Sequence, residues 1–246
     1  MLTGKIVIIT GGSGNIGSLA AQALAEKGAR IISIVRRDLV SAQAKMNQLP
    51  NAHLNHIAVV ADVKDSKSIK DAIAGLDITK CDILINNAGR GYAKVAYKEI
   101  TDDVVDDIID TNIKGTFYTV RECLSLIYKA EEPIIINISS ASGRAPGRAN
   151  LIYAASKAAI DNMTVCMALN MAPKVRVVSI SPGWLENPVS GAPVKTKEDE
   201  ATIAPTMLLK RTPTVSEVVE TIVAVATGFK FMTGNIIPVD CGVTLK

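Results

Sequence analysis

Short apolar runs recur along the chain at spacings that leave room for a helix between one run and the next. They are rich in Ile and Val and cover residues 5–10, 31–35, 56–61, 82–86, 133–139, 175–180 and 235–239. Runs of this length and composition predict β-strands. Because the apolar residues are continuous rather than alternating, each strand must be covered on both faces, which is typical of a parallel sheet.

Longer helical patterns separate most of these runs, at residues 15–27, 39–48, 66–74, 101–129, 151–172 and 214–227. Asp38 is placed to cap the second helix, and Gly28 to end the first in the left-handed conformation. The alternation predicts an α/β fold: a Rossmann-type doubly wound sheet of about seven parallel strands with helices on both faces. No linker interrupts the pattern, so we expect one domain over residues 1–246.

One long segment, residues 184–213, lacks a strong pattern and is rich in Pro and charged residues. It follows the carboxyl end of a predicted strand, where doubly wound sheets bind their ligands. We therefore predict a loop that covers the substrate.

Composition and charge narrow the function. The chain has 246 residues, 48% of them apolar, a net charge of +3 and only 4% aromatic residues, which does not favour nucleic-acid binding. Its cysteines and histidines are too scattered for a structural metal site, although His53 and His56 leave a weak ligand pair open. The first strand begins at residue 5 and no apolar run approaches about 20 residues, so we expect a cytoplasmic protein without leader peptide or membrane segment.

The stretch "TGGSGNIG" leads from the first strand into the first helix. Its glycines fit either of two registers, Gly12, Gly14 and Gly17 or Gly11, Gly14 and Gly17. Both give a tight turn and an exposed helix N-terminus, whose unpaired N–H groups favour a pyrophosphate. A glycine-rich surface loop is the alternative, but the position between strand and helix favours a dinucleotide.

The second strand ends with "IVRRD", which places Arg36 and Arg37 where a dinucleotide's ribose is usually recognised. Two guanidinium groups can pair with a 2′-phosphate, so NADP(H) is favoured over NAD(H). Asp38 could instead reach a ribose if it does not cap the following helix.

Tyr153 and Lys157 lie four residues apart in "LIYAASKAAI" and should project to the same side of one helix. A neighbouring ammonium favours the phenolate form, so we expect Lys157 to lower the pKa of Tyr153 toward the working range of an acid or base. Taken alone, such a pair more often reflects ordinary helix packing than catalysis.

Several further motifs follow in order: "ADV" with Asp62, "NNAG" at 86–89, "TNIKGTF" with Asn112, "INISS" with Ser140, "SPGW" at 181–184 and "TGNIIPVDCG" near the end. Together with the glycine turn and the "YAASK" segment, they resemble the short-chain dehydrogenase/reductase family over the whole length. The resemblance is to the single-domain branch of about 250 residues, which includes the 3-oxoacyl-acyl-carrier-protein reductases.

The resemblance implies catalytic roles for four residues. Tyr153 would exchange the proton, and Ser140, which lies 13 residues before it, would orient the substrate oxygen. Lys157 would hold the nicotinamide ribose, and Asn112 would anchor a water in the proton relay. Ser139 does not fit the family spacing and should face the core or terminate the strand.

The resemblance also implies a cofactor site. Its expected residues are Gly11, Ser13, Gly14, Asn15, Ile16, Gly17, Arg36, Arg37, Asp62, Val63, Asn87, Ala88, Gly89, Tyr153, Lys157, Pro182 and Gly183. Asp62 and Val63 would border the adenine, and Pro182 and Gly183 the nicotinamide. Asn87 would both contact the cofactor and tie neighbouring strands together.

Three features depart from the family pattern. Gly14 and Asn15 give the glycine turn a spacing typical of sugar-nucleotide-modifying members, Asn187 stands where a threonine is common, and Cys241 replaces a common glycine. The implied activity is interconversion of a carbonyl and a secondary alcohol. A dinucleotide-sensing binding protein and a sugar-nucleotide epimerase or dehydratase stay open as alternatives.

The sequence gives less direct evidence for the substrate and for the oligomeric state. The regions "YKAEEP" and "ALNMAPK" are not basic enough to favour an acyl carrier protein, so a thioester of that carrier is weakly supported beside a small ketone or sugar. The resemblance implies a homotetramer formed through segments 101–129 and 151–172 and the last strand.

Overall fold

The structure, a computed structural model, describes residues 1–146, 149–185 and 196–245. Seven strands form one parallel sheet in the order β3-β2-β1-β4-β5-β6-β7. They are β1 (Ile6–Thr10), β2 (Arg30–Val35), β3 (Ile57–Val60), β4 (Ile83–Asn86), β5 (Ile134–Ile138), β6 (Arg176–Pro182) and β7 (Ile236–Val239). Every predicted strand is present, with its ends shifted by at most two residues.

The helices are α1 (Asn15–Glu26), α2 (Leu39–Asn47), α3 (Ser66–Ala74), α4 (Asp102–Ile108), α5 (Gly115–Lys129), α6 (Leu151–Met171), α7 (Lys197–Ile203) and α8 (Val215–Thr227). Two apolar clusters bury the two faces of the sheet. One holds residues of α1, α2 and α8, and the other holds residues of α3, α5 and α6. This confirms the doubly wound α/β fold.

The direction of winding reverses at β1, which pairs with β2 on one side and with β4 on the other. In sheets of this kind the loops after the two strands separate there and leave a crevice at the carboxyl ends. Two predicted helix boundaries are confirmed, one beside the crevice at Asp38 and one at the opposite edge of the sheet at Gly28. Asp38 accepts a hydrogen bond from the Ser41 backbone N–H, and Gly28 has a φ of +93°.

A chain of buried polar side chains crosses the middle of the fold. The Asn86 amide on β4 donates to Asn137 Oδ1 on β5 at 2.8 Å, and the Asn137 amide donates to Thr164 Oγ1 on α6 at 2.9 Å. Asn86 and Asn137 are direct partners in the strand register. These bonds join two strands and a helix within the apolar interior.

Two predicted segments need correction. The helix predicted over 101–129 is divided by a π-helical turn over Ile109–Lys114, because its hydrogen bonds reach one residue further than in an α-helix. The segment 184–213 contains α7 and a short 3₁₀ helix over Ala204–Thr206. Its residues 186–195, Asn187 among them, lie outside the described residues.

No helix among residues 1–146, 149–185 and 196–245 has the length and apolar character that a membrane crossing requires.

Candidate active site

A cavity of about 1120 Å³ opens at the carboxyl ends of the strands. Most of the predicted site residues line it: Gly11, Ser13, Gly14, Asn15, Ile16, Arg36, Arg37, Asp62, Val63, Asn87, Ala88, Gly89, Ser140, Tyr153, Lys157, Pro182 and Gly183. Gly17 and Asn112 are not part of the lining, and each lies behind it. The cavity has a β2 side, formed by Arg36, Arg37, Asp62 and Val63, and a β5 side, formed by Ser140, Tyr153 and Lys157.

The glycine turn is held in a conformation that side chains would disturb. Gly11 has a φ of +64°, which L-residues rarely adopt. At Gly17 a Cβ atom would collide with the Gly11 carbonyl oxygen and lie 2.8 Å from the Asn87 amide nitrogen. At Gly12 a Cβ atom would collide with the Ser33 hydroxyl, so Gly11, Gly12 and Gly17 are all required to be glycine and both registers are satisfied.

The turn leaves the N-terminus of α1 available to an anion. The cap residue, Gly14, has no side chain to accept from the first-turn N–H groups, and that turn contains no acidic residue. The side-chain nitrogen of Asn15 is buried without a partner in the described structure. These features fit the pyrophosphate of a dinucleotide, which accepts N–H groups and favours the positive end of the helix dipole.

Asn87 joins the glycine turn to the end of β4. Its amide donates to the carbonyl oxygens of Thr10 and Gly11 at 3.1 and 3.0 Å. The Thr10 hydroxyl in turn accepts from the backbone N–H groups of Asn87 and Ala88. The predicted tie between neighbouring strands is confirmed.

On the β2 side, Arg36 and Arg37 are exposed at the end of β2. Neither has an ion-pair partner within the described part of the chain. Asp38, which could have bound a ribose, uses its carboxylate to cap α2. Two exposed cations thus lie at the end of β2, and the carboxylate of Asp38, next to them in the sequence, is occupied by its cap.

On the β5 side, Ser140 ends β5 and begins a short 3₁₀ helix over Ala141–Gly143. Its hydroxyl accepts from the backbone N–H of Ser142 at 3.2 Å, which leaves its own proton free to donate. Ser139 is buried, and its hydroxyl donates to the Lys157 carbonyl at 3.0 Å. The structure therefore assigns different environments to the two serines, with Ser139 in the core as predicted.

Tyr153 is held at the start of α6, whose N-terminus is capped by Asn150 through hydrogen bonds from the N–H groups of Ile152 and Tyr153. Burial raises the pKa of Tyr153 above its usual value, and a hydrogen bond with Ser140 acts in the opposite direction. The expected lowering of the Tyr153 pKa by Lys157 is wrong, because burial is the dominant cause of the shift and only the hydrogen bond with Ser140 opposes it. The phenol is therefore protonated at neutral pH.

Lys157 is 3% exposed, and its ammonium donates to the Ile138 carbonyl at 2.8 Å. Its Nζ lies 5.6 Å from the centre of the Tyr153 ring. Burial lowers the pKa of Lys157 to about 8, while the charge of Asp161, one turn further along α6, acts to raise it. The ammonium is thus close to the phenol but is bound to the strand.

Asn112 lies in the π-helical turn and is completely buried. Its side chain accepts from the Arg90 N–H at 2.7 Å and donates to the Arg90 carbonyl and to Ser156 Oγ. Ser156 in turn donates to the Tyr153 carbonyl. Asn112 therefore fixes the loop after β4 against the helix that carries Tyr153.

Several lining residues were not predicted from the sequence, among them Arg90, Tyr92 and Arg144. Arg90 and Tyr92 both donate to Asp107, at 2.7 and 2.8 Å, and Lys64 donates to the same carboxylate at 3.0 Å. Burial alone would raise the pKa of Asp107, but these three hydrogen bonds lower it to about 2. Arg144 lines the β5 side. Arg90, Tyr92 and Arg144 each follow a recognised motif by a few residues, and this proximity is the signal that could have identified them.

No group of three or more His, Cys, Asp or Glu side chains is placed to hold a metal ion among the residues that the structure describes. His56 is buried and serves the fold, because its Nδ1 accepts from the Ile31 N–H.

Comparison with known proteins identifies the family. The model of the short chain dehydrogenases matches residues 5–198. This chain belongs to the short-chain dehydrogenase family. Curated relatives of this dehydrogenase include an uncharacterized oxidoreductase of Staphylococcus aureus strain MW2, 34% identical over 198 residues, which are 78% of this chain and 83% of that protein. Another, from Staphylococcus epidermidis, is 34% identical over 194 residues, 76% of this chain and 80% of that protein.

Solved structures share the fold of this dehydrogenase. A 3-ketoacyl-(acyl-carrier-protein) reductase from Brucella melitensis, complexed with NADH, matches with a TM-score of 0.89 and 24% identity over 99% of this chain and 100% of that chain. The ligand-free aldohexose dehydrogenase of Thermoplasma acidophilum matches with a TM-score of 0.86 and 22% identity over 100% of this chain and 96% of that chain. At these identities the likeness establishes the fold alone.

Proposed function

We propose that this short-chain dehydrogenase interconverts a carbonyl group and a secondary alcohol with NADP(H), and that Ser140, Tyr153 and Lys157 act on the reacting oxygen. The observation that carries the proposal is that these three residues line the same cavity as the glycine turn. When bound there, the nicotinamide supplies or accepts the hydride.

The side chains of the β5 side suit proton transfer at that oxygen. The raised pKa of Tyr153 keeps the phenol protonated, which is the form that donates to a carbonyl oxygen as it becomes an alcohol. Ser140 donates a second hydrogen bond to the same oxygen and stabilises the developing charge. Lys157 holds a positive charge next to the phenol, so the phenolate formed after donation is stabilised.

Asn112 supports this arrangement through its contacts. Its side chain is fully engaged by Arg90 and Ser156, so we propose that it positions the helix of Tyr153, and that a relay water would bind backbone atoms of the π-helical turn. A π-turn leaves backbone groups without their usual helical partners, which suits this role.

The preference for NADP(H) rests on the β2 side. Arg36 and Arg37 line the cavity without an ion pair in the described structure, and Asp38 is committed to its cap. A dianionic phosphate offers both guanidinium groups a partner that a ribose hydroxyl does not. The remainder of the cofactor would contact seven other lining residues: Asp62, Val63, Asn87, Ala88, Gly89, Pro182 and Gly183.

The proposal extends to the assembly: one domain over the whole chain, joined in a homotetramer. Apolar side chains are exposed on α5 and α6, namely Phe117, Val165 and Leu169, and next to β7, namely Phe231. Exposed apolar residues on long helices often mark subunit contacts. Light scattering measures the mass directly.

The deciding experiment follows oxidation of NADPH with a panel of ketones, aldehydes and oxo acids. We expect turnover of at least one compound and a loss of about 10³-fold in kcat for Tyr153→Phe. Tyr97→Phe is the matched control, since Tyr97 is 80% exposed and does not line the cavity. Equal rates for Tyr153→Phe and the parent would exclude Tyr153 as proton donor. Tight cofactor binding without turnover would support a sensing protein instead.

A further inference from the structure

Arg144 is a cation that the proposed hydride transfer does not use. It lies four residues after Ser140, at the end of the 3₁₀ helix over Ala141–Gly143, and it lines the cavity. Its guanidinium donates to the Ser181 hydroxyl at 3.3 Å, and within the described residues it forms no ion pair. A guanidinium has five N–H donors, so most of its capacity is open toward the cavity.

Arg144 is exposed, but the backbone turn that carries it is fixed by its surroundings. A Cβ atom on Gly143 would lie 2.8 Å from the Ala158 backbone nitrogen, so the turn is packed directly against α6. Ser181, the partner of Arg144, is fully buried at the end of β6, next to Pro182. The guanidinium therefore spans the gap between the loop of Ser140 and the segment assigned to the nicotinamide.

The charge around the cavity leaves Arg144 uncompensated. The described lining contains six cationic side chains and two acidic ones, Asp62 and Asp199. Asp62 is on the β2 side, and Asp199 accepts from the backbone N–H and hydroxyl of Thr196. Arg90, the other arginine near the β5 side, is paired with Asp107. An anion that enters the β5 side therefore meets the charge of Arg144, which forms no ion pair with a described carboxylate.

We propose that Arg144 binds the carboxylate of the substrate, and that the substrate class is an oxo acid and its hydroxy acid. This rests on the proposed hydride transfer and adds the substrate class to it. A single planar guanidinium matches a monoanionic carboxylate through two parallel hydrogen bonds. Held at Arg144, the acid presents its carbonyl to Ser140 and Tyr153 on the same wall.

The test compares kcat/KM for oxo acids with that for their uncharged methyl esters, over acids that differ in the spacing of carbonyl and carboxylate. We expect the parent to prefer at least one acid over its ester, and Arg144→Gln to reduce this acid-to-ester ratio by about 10- to 100-fold, mainly through KM. Arg144→Lys should restore part of the ratio because it returns the charge without the planar pair. Lys67→Gln, on exposed α3, is the control and should leave the ratio unchanged.

A binding measurement separates this proposal from the proposed hydride transfer. Saturated carboxylic acids and their amides are titrated into the NADPH complex, and the fluorescence of Trp184, the only tryptophan, reports occupancy of the cavity that it lines. Acids that bind more tightly than amides in the parent but not in Arg144→Gln support the carboxylate site even if no carbonyl compound is reduced. Equal binding of acids and amides, an equal loss for acid and ester in Arg144→Gln, or a stronger preference for phosphate esters would each overturn it.

Discussion

At the β2 side of the cavity the cations Arg36 and Arg37 stand in solvent, whereas at the β5 side Lys157 is 3% exposed and bonded to a strand carbonyl. Charges in solvent act nearly independently and are weakened by salt. Burial changes the pKa values of titratable groups: it raises that of Tyr153 and lowers that of Lys157. The cavity therefore has an exposed cationic side, where we propose cofactor recognition, and a buried side, where we propose the reaction, and substitutions on the two sides should have different effects.

After Tyr153→Phe, the largest effect is expected for Ser140→Ala, at about a 10²- to 10³-fold loss of kcat, because a hydrogen bond to the reacting oxygen is removed. Ser139→Ala is the neighbouring control. It removes the bond to the Lys157 carbonyl and should cost about 1 kcal/mol of unfolding free energy, with a much smaller loss of rate. Steady-state kinetics and urea unfolding of both variants measure this. A larger kinetic loss for Ser139→Ala would reverse the assignment of the two serines.

A smaller effect is expected on the β2 side, where Arg36→Ala and Arg37→Ala should each raise the Kd for NADPH about tenfold, as removal of an exposed charged partner does. The Kd for NADH should change less than about twofold, since it lacks the 2′-phosphate. Isothermal titration with both cofactors provides the comparison. If the parent binds NADPH and NADH equally, the preference for NADP(H) is wrong.

Salt should affect the two sides of the cavity differently. Raising the ionic strength from about 0.1 M to about 1 M shortens the Debye length from about 10 Å to about 3 Å. We expect the NADPH-to-NADH preference to fall several-fold, while the titration of the buried Lys157 stays in place. Cofactor titrations at both salt concentrations, with amine labelling of Lys157, test both statements. A salt-independent preference would show that exposed charges do not set it.

The smallest effect is expected for Asp161→Asn. The Asp161 carboxylate stabilises the ammonium and so raises the pKa of Lys157, which burial lowers to about 8. Removing its charge should move that pKa further down, so that the amine loses its proton at a lower pH. The pH dependence of Lys157 acylation reports the change, and Glu26→Gln, at an exposed position, should not shift it. An upward shift in Asp161→Asn would contradict the assigned electrostatics.

Much of this fold could be predicted from the sequence because its strands are buried on both faces. Continuous runs such as 5–10 and 133–139 have no interpretation other than a covered strand, and β1 and β5 begin and end within one residue of them. The glycine turn could also be predicted, because conformation at Gly11 and close contact at Gly17 restrict the residue type. Cys241 has a φ of +51°, which explains why glycine is common at its position.

The remaining features depend on contacts that apolar spacing does not encode. The π-helical turn at 109–114 adds one residue to a helical turn and changes the periodicity of 101–129 very little. The direction of the pKa shift at Tyr153 depends on burial by the folded chain rather than on its spacing from Lys157. Helix α7 does have a local sequence signal, the capping box of Thr196 and Asp199, but this signal lies in a segment dominated by prolines and charged residues.

The buried bonds from Asn86 to Asn137 and from Asn137 to Thr164 have a consequence for alignment. If β4 slipped by two residues along β5, every apolar side chain would keep its own face, so hydrophobic burial alone selects the pairing weakly. Slippage would leave these amides without hydrogen-bond partners, which would cost about 1–3 kcal/mol of stability for each group. Three polar side chains just beneath the cavity floor thus keep Asn87 and Ser140 at the same height in the sheet.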